Sequence, residues 1–129
     1  MQTRLKMGFA LFAGFGLGAI AVEAIHAQAT PSAYVISEIE VTNPEAYKTE
    51  YLPLAQKALR SSGQKMLAAG GKTVALSGDP PKPRVVVSIF ENLSKAQAAY
   101  TSPDYVEARK IGDKYAKLRI FAVEGVPLQ

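Results

Sequence analysis

Apolar positions along the chain recur with two different periods, and the switches between them lay out the elements. Ala33 to Val41 (AYVISEIEV) alternates apolar with polar residues and is rich in β-branched and aromatic side chains, the pattern of a strand with one covered face. Asn43 then stands where a helix cap is needed, with Pro44 at the first helical position, where a missing N–H costs nothing. Tyr47, Tyr51, Leu54, Ala55, Ala58 and Leu59 follow at helical spacing and make one apolar stripe. Pro53 sits inside that stripe, removes the bond to the Thr49 carbonyl, and is expected to kink the helix before Ser61-Ser62-Gly63 ends it.

Two short strand-like runs come next, Gln64 to Ala69 and Lys72 to Ser77. Gly70-Gly71 between them supplies the positive φ of a tight hairpin turn. Gly78 to Pro83 (GDPPKP) excludes helix and central strand, and reads as a stiff connector rather than a proline-rich recognition segment. Arg84 to Glu91 (RVVVSIFE) is the most apolar strand and therefore the expected central one. Ser94-Lys95-Ala96-Gln97 has the form of a capping box and opens a second helix through Tyr100. Ser102-Pro103 restarts that helix, carrying Tyr105, Ala108, Ile111 and Tyr115 inward, with Gly112 as a weak point. Lys117 to Glu124 (KLRIFAVE) closes as the last strand.

This order is β-α-β-β-α-β, the ferredoxin-like α+β pattern, with a four-stranded antiparallel sheet and both helices on one face. Val85, Val87 and Ile89 alternate with Val86, Ser88 and Phe90, and Leu118, Ile120 and Ala122 alternate with Arg119, Phe121 and Val123. Both sides of both strands are therefore largely apolar. Helices cover one side; the other would be bare in a monomer, and a two-fold homodimer made by sheet faces resolves this.

The first 29 residues read differently. Arg4 and Lys6 precede an uncharged run from Met7 to Val22, and Ala27-Gln28-Ala29 offers a small-x-small site. Basic, apolar and small-residue regions in that order describe a secretory signal, cleaved after Ala27 or Ala29. The uncharged run is shorter than the ~20 residues of a membrane-spanning helix, so an uncleaved anchor is the weaker alternative. Residues 30–129 are then expected to be a single exported domain, periplasmic or secreted, with no membrane association after cleavage.

Composition narrows the chemistry. The 129-residue chain has no Cys and no Trp, one His, and a net charge of +4. Removing residues 1–29 also removes His26, leaving 13 basic and 10 acidic residues. Without His or Cys the domain lacks the usual ligands for zinc, copper or haem and the usual nucleophilic triads, so no cofactor and no metal is expected. Any proton transfer falls to Asp, Glu, Lys or Tyr. A net charge of +3 in an exported domain argues against a nucleic-acid partner.

Three segments carry a family resemblance: AYVISEIEVTNPEAYKTEY, GGKTVALSGDPPKPRVVVSIFENLSKAQAAYTSPDYVEAR, and FAVEGV at the end. Their most specific parts are the Asn-Pro-Glu-x-Tyr helix start, the Tyr-x-Ser-Pro-x-Tyr junction from Tyr100 to Tyr105, and Val-Glu-Gly at Val123 to Gly125. Together they resemble domain-of-unknown-function family 1330 over about Ala33 to Val126. Where members of that family usually carry Asp before the first helix, this chain has Asn43, and either residue caps. The resemblance implies a dimeric α+β barrel, in which two ferredoxin-like sheets face each other. It implies no agreed activity.

Tyr34, Tyr47, Tyr51, Tyr100, Tyr105 and Tyr115 have apolar bodies and polar tips that suit either a core or a ligand cleft. Arg109 follows Tyr105 by four positions, and Arg84 opens the central strand; either guanidinium could hold a carboxylate or form a structural ion pair. Glu38 and Glu40 share a strand face and are placed to pair with a basic neighbour such as Arg119. Lys110, Lys114 and Lys117 read as a solvated basic strip. The expected ligand site is the helix break at Tyr100, Ser102, Tyr105 and Arg109, beside the first and central strands and with Tyr34 near it. It would take a small aromatic or aliphatic acid. The competing class is a non-catalytic periplasmic structural or interaction protein whose sheet serves only to dimerise.

Overall fold

The computed structural model describes residues 30–127. The export segment read at residues 1–29 lies outside the described residues. Four strands form one antiparallel sheet: β1 (Ala33–Val41), β2 (Lys65–Ala69), β3 (Arg84–Phe90) and β4 (Ala116–Glu124), in the order β2-β3-β1-β4. That is the ferredoxin-like arrangement, with β3 and β1 as the interior strands.

The first helical region begins as a single turn, α1 (Pro44–Ala46), capped by Asn43, whose side chain accepts from the Ala46 N–H at 3.2 Å. It then widens into a π-helical turn at Tyr47–Tyr51 before α2 (Leu52–Ser61). Pro53 was expected to kink this helix, and the π turn is how the chain absorbs it. The Leu52 N–H reaches back to the Tyr47 carbonyl, and Pro53 falls in the first turn of α2, where its lost donor is harmless. Tyr47 and Tyr51 both end up buried. α2 stops at Gly63, whose φ of +95° lets the Gln64 N–H bond the Leu59 carbonyl at 3.1 Å.

The expected hairpin around Gly70-Gly71 does not form. Only Lys65–Ala69 is a strand, and it pairs with β3 instead. The Gly70 N–H extends this ladder to the Val85 carbonyl at 2.9 Å, after which the chain leaves the sheet. Lys72 to Ser77 is irregular, and Val74 and Leu76 are 75% and 91% exposed. A second arm there would have had to pair with the outer edge of β2, with no helix beneath it to bury its few apolar side chains.

α3 (Leu93–Thr101) starts one cap earlier than the capping-box pattern suggested. Asn92, not Ser94, is the N-cap and accepts from the Lys95 N–H at 2.8 Å, so that Ala96 and Ala99 both reach the core. α4 (Pro103–Tyr115) starts as expected, with Ser102 Oγ accepting from the Tyr105 N–H at 3.3 Å and Pro103 in the first turn. Gly112, read as a weak point, is a packing requirement: a Cβ there would lie 2.6 Å from the Tyr51 ring.

The two sheet faces separate cleanly. Ala33, Val35, Ser37 and Ile39 of β1, Val86, Ser88 and Phe90 of β3, and Leu118 and Ile120 of β4 meet the helices. On the open face, strand register places Tyr34 between Ile89 and Val123, and Ile36 between Val87 and Phe121. Two apolar rows thus run side by side, with Phe121 and Val123 42% and 51% exposed. The next row is Val85–Glu38–Arg119, where the surface turns polar. Among the described residues, no helix is long and apolar enough to cross a membrane.

Candidate functional site

The break between α3 and α4 bends the chain over the edge of the sheet, and a cleft of about 440 Å³ opens between these helices and β4. Val35, Leu93, Ala96, Ile120 and Ala122 give it apolar walls. Tyr100 and Tyr105 stand edge to face within it, their ring centroids 4.8 Å apart, and Tyr105 is only 2% exposed. Arg109 lies at its rim beside Lys110 and Asp113. The cleft volume falls within the ~300–1,000 Å³ usual for small-molecule pockets.

Of the residues read from the sequence, Tyr100, Tyr105 and Arg109 come together here. Ser102 does not line the cleft; its hydroxyl is occupied in capping α4 and donating to the Ala99 carbonyl at 2.8 Å. Tyr34 stands on the opposite face of the sheet, its ring packed against Gly125, where a Cβ would come within 2.6 Å of it. The flanking strands are β1 and β4 rather than the expected first and central strands.

Arg109 has partners already. Its Nε donates to Asp113 at 2.7 Å, and its guanidinium donates to the Leu118 carbonyl at 3.1 Å. Partial burial works to lower its pKa, but the Asp113 carboxylate and Tyr105 outweigh that and leave it raised. The cleft therefore presents an apolar interior and a charge-balanced rim.

Behind Tyr100 and Tyr105 lies a second, smaller cavity of about 80 Å³, between the helices and the sheet. Its lining is of another kind. The Tyr51 and Tyr105 hydroxyls are 3.2 Å apart, and the Gln64 amide donates to Ser88 Oγ at 3.2 Å and to the Tyr100 hydroxyl at 3.4 Å. Ser37, Tyr47 and Arg84 complete it. Burial raises the pKa of Tyr47, and Arg84 beside it only partly offsets this; burial, reinforced by neighbouring Tyr105, raises Tyr51 further and pushes Tyr100 up to about 12. These phenols are neutral donors at any physiological pH.

Among the described residues, no carboxylate or imidazole lines the inner cavity, and none of its lining groups is suited to abstract a proton near neutrality. It can bind and orient. Gln64, Ser37 and Ser88 were not picked out from the sequence, although two serines at inward positions of otherwise apolar strands were a visible interruption. Elsewhere, Glu38 pairs with Arg119 as expected, and also accepts from the Lys82 backbone N–H, contacts that hold its carboxyl below the usual range. Lys110 pairs with Glu107 at 2.8 Å on the exposed side of α4. Among the described residues, no group of three or more acidic, His or Cys side chains could hold a metal ion.

Residues 32–126 match the family described as a domain of unknown function, DUF1330. The chain belongs to this family. No protein of curated function matches it. Among solved structures, this DUF1330 domain is similar to a protein of unknown function from Rhodopseudomonas palustris, at 14% identity and a TM-score of 0.61, covering 84% of this chain and 93% of that one. It is also similar to SnoaB, a cofactor-independent oxygenase from Streptomyces nogalater, at 10% identity and a TM-score of 0.53, covering 77% of this chain and 97% of that one. A third likeness is to a conserved protein of unknown function from Bacteroides thetaiotaomicron described as a possible oxidoreductase, at 13% identity and a TM-score of 0.50, covering 75% and 100%. At such identities these likenesses establish the fold and nothing of the activity.

Proposed function

We propose that this DUF1330 protein is an exported homodimer that binds a small aromatic or aliphatic acid in the cleft between α3, α4 and β4. The observation that carries this reading is the cleft itself: apolar walls, two tyrosines set edge to face, and a guanidinium at the rim. The hydrocarbon part of the ligand would lie against Tyr100 and Tyr105, and its carboxylate would share Arg109 with Asp113. The oxygenase activity of SnoaB is not carried over, because a fold hosts many chemistries.

Export is supported by the order of basic, apolar and small-residue regions before Thr30. Mass spectrometry of the protein from its host is expected to show a start near Gln28 or Thr30; an intact Met1 chain in the membrane fraction would contradict it. Dimerisation is supported by the two apolar rows centred on Tyr34 and Ile36. A stable pair would bury ~800 Å² per partner. Light scattering at micromolar concentration is expected to give a dimer that Val87→Asp converts to a monomer, and a monomeric wild type would end that part of the reading.

Isothermal titration with benzoate and related acids tests the site. Arg109→Ala is expected to weaken binding about tenfold or more, the scale of one lost charged hydrogen bond. Tyr105→Phe leaves the ring in place and is expected to have a smaller effect. A second reading is favoured by the partners that Arg109 already has: the break is structural and the sheet face serves only to join subunits. Unchanged affinity in both variants, with reduced stability, would establish that reading instead.

A further inference from the structure

Arg84 is the unusual residue of the inner cavity. It opens β3 on the helix-facing side, and its Nε is buried without a hydrogen-bond partner. Its guanidinium occupies the space above Gly70, where a Cβ would lie 2.1 Å from one terminal nitrogen. Among the described residues it forms no ion pair, in contrast to Arg109 and Arg119. Among the described residues, the cavity it lines has no acidic side chain. A guanidinium cannot shed its proton in a protein, so this charge has no way to neutralise itself. The residue as a whole is only half-buried and lies beside Tyr47, but its Nε is closed off from solvent, and an orphaned buried donor is a rarity that requires an explanation.

We propose that the inner cavity is a binding site for a small monovalent carboxylate of formate or acetate size, held by Arg84. The anion supplies the missing negative charge and accepts from the Arg84 Nε–H. The phenol hydroxyls of Tyr47 and Tyr51 are the neutral donors at hand for its remaining lone pairs. Size sets the ligand class: about 80 Å³ is the space of two or three waters, which admits a carboxylate with at most a short tail. An aromatic acid does not fit. This site is separate from the outer cleft, although Tyr100, Tyr105 and Ile120 line both.

The test is thermal unfolding of the protein in rising acetate or formate, with ionic strength held constant by a bulky sulfonate. Wild type is expected to show a rise in Tm that grows with the logarithm of anion concentration above Kd, about 5–10 °C once the anion exceeds its Kd tenfold. Arg84→Met keeps the bulk and removes the charge; it is expected to match or exceed wild type in Tm without anion and to lose the rise. Arg84→Lys keeps the charge without the fork and is expected to retain a smaller rise, which keeps the test decisive should the methionine variant fail to fold. Arg109→Ala is expected to lose the response to benzoate while keeping the response to acetate, so failure of the outer cleft and failure of this site are distinguishable. No rise in wild type, or an equal rise in Arg84→Met, would overturn the proposal.

Discussion

Two cavities share a wall of Tyr100, Tyr105 and Ile120, and a guanidinium stands at each, yet the two arginines are in opposite situations. Arg109, at the rim of the outer cleft, is neutralised by Asp113 four residues along its own helix and bonded to the Leu118 carbonyl. Arg84, at the inner cavity, has a buried Nε with no partner and no acid around it. The outer cleft can stand empty without electrostatic penalty, and apolar contact must add to whatever Arg109 gives a ligand. The inner cavity carries an unmet guanidinium donor even when nothing is bound. A satisfied arginine says little about ligands; an unsatisfied one names the charge of its partner.

The shared wall is the most direct place to break this comparison. Tyr105→Ala would join the two cavities and remove a ring buried against Tyr100, Tyr51 and the sheet. A loss of about 3–5 kcal/mol in urea unfolding is expected, the range for deleting a buried aromatic side chain. A loss under 1 kcal/mol would mean that the wall is not packed as described. Gly112→Ala acts on the same wall from behind, since its Cβ would push the Tyr51 ring. It is expected to cost about 1–3 kcal/mol, as overpacking does, although alanine favours a helix over glycine. A stabilised variant would show that the ring moves freely.

How much of this was visible in the sequence depends on whether a feature is local. Alternation identified Ala33 to Val41 as a strand, because a two-residue period with one face apolar admits one pleat, and the continuous apolar run of Arg84 to Phe90 identified an interior strand. Ser102-Pro103 identified the start of α4 for an equally local reason. Pro53 announced a disturbance but not its form; a π turn depends on what Tyr47 and Tyr51 pack against, and that is tertiary. Lys72 to Ser77 misled because its propensity is strand-like, while the outer edge of β2, where it would pair, has no helix beneath it to bury its apolar side chains. The outer cleft joins Tyr100, Tyr105 and Arg109, three residues close in sequence, and could be anticipated. The inner cavity gathers Ser37, Tyr47, Gln64, Arg84 and Tyr100 from five elements or connections, and only the fold assembles them.

Tyr51→Phe sharpens the contrast at a finer scale. It removes the hydroxyl beside that of Tyr105 and is expected to cost about 1 kcal/mol, measured as a shift in the urea midpoint at constant m. It is also expected to weaken acetate binding at Arg84 while leaving benzoate binding unchanged; the reverse pattern would exchange the roles of the two cavities. The smallest effect belongs to Arg119, which marks the exposed limit. Its partner Glu38 has a carboxyl held below the usual carboxylate range, first by the Lys82 backbone N–H and then by Arg119. A depressed folded pKa gives stability that is present above about 4.5 and lost as pH falls through the folded value. Glu38→Gln is expected to flatten that acid limb slightly in pH-dependent unfolding, and an unchanged limb would show that the pair contributes nothing measurable.

The contrast between the two guanidinium groups is tested most directly by the arginine Nε–Hε resonances in a ¹⁵N-resolved NMR titration with acetate, assigned through Arg84→Met and Arg109→Ala. The Arg84 signal is expected to move downfield and saturate while the Arg109 signal stays in place. An Arg84 signal that ignores acetate, or an Arg109 signal that moves in its stead, would contradict the account.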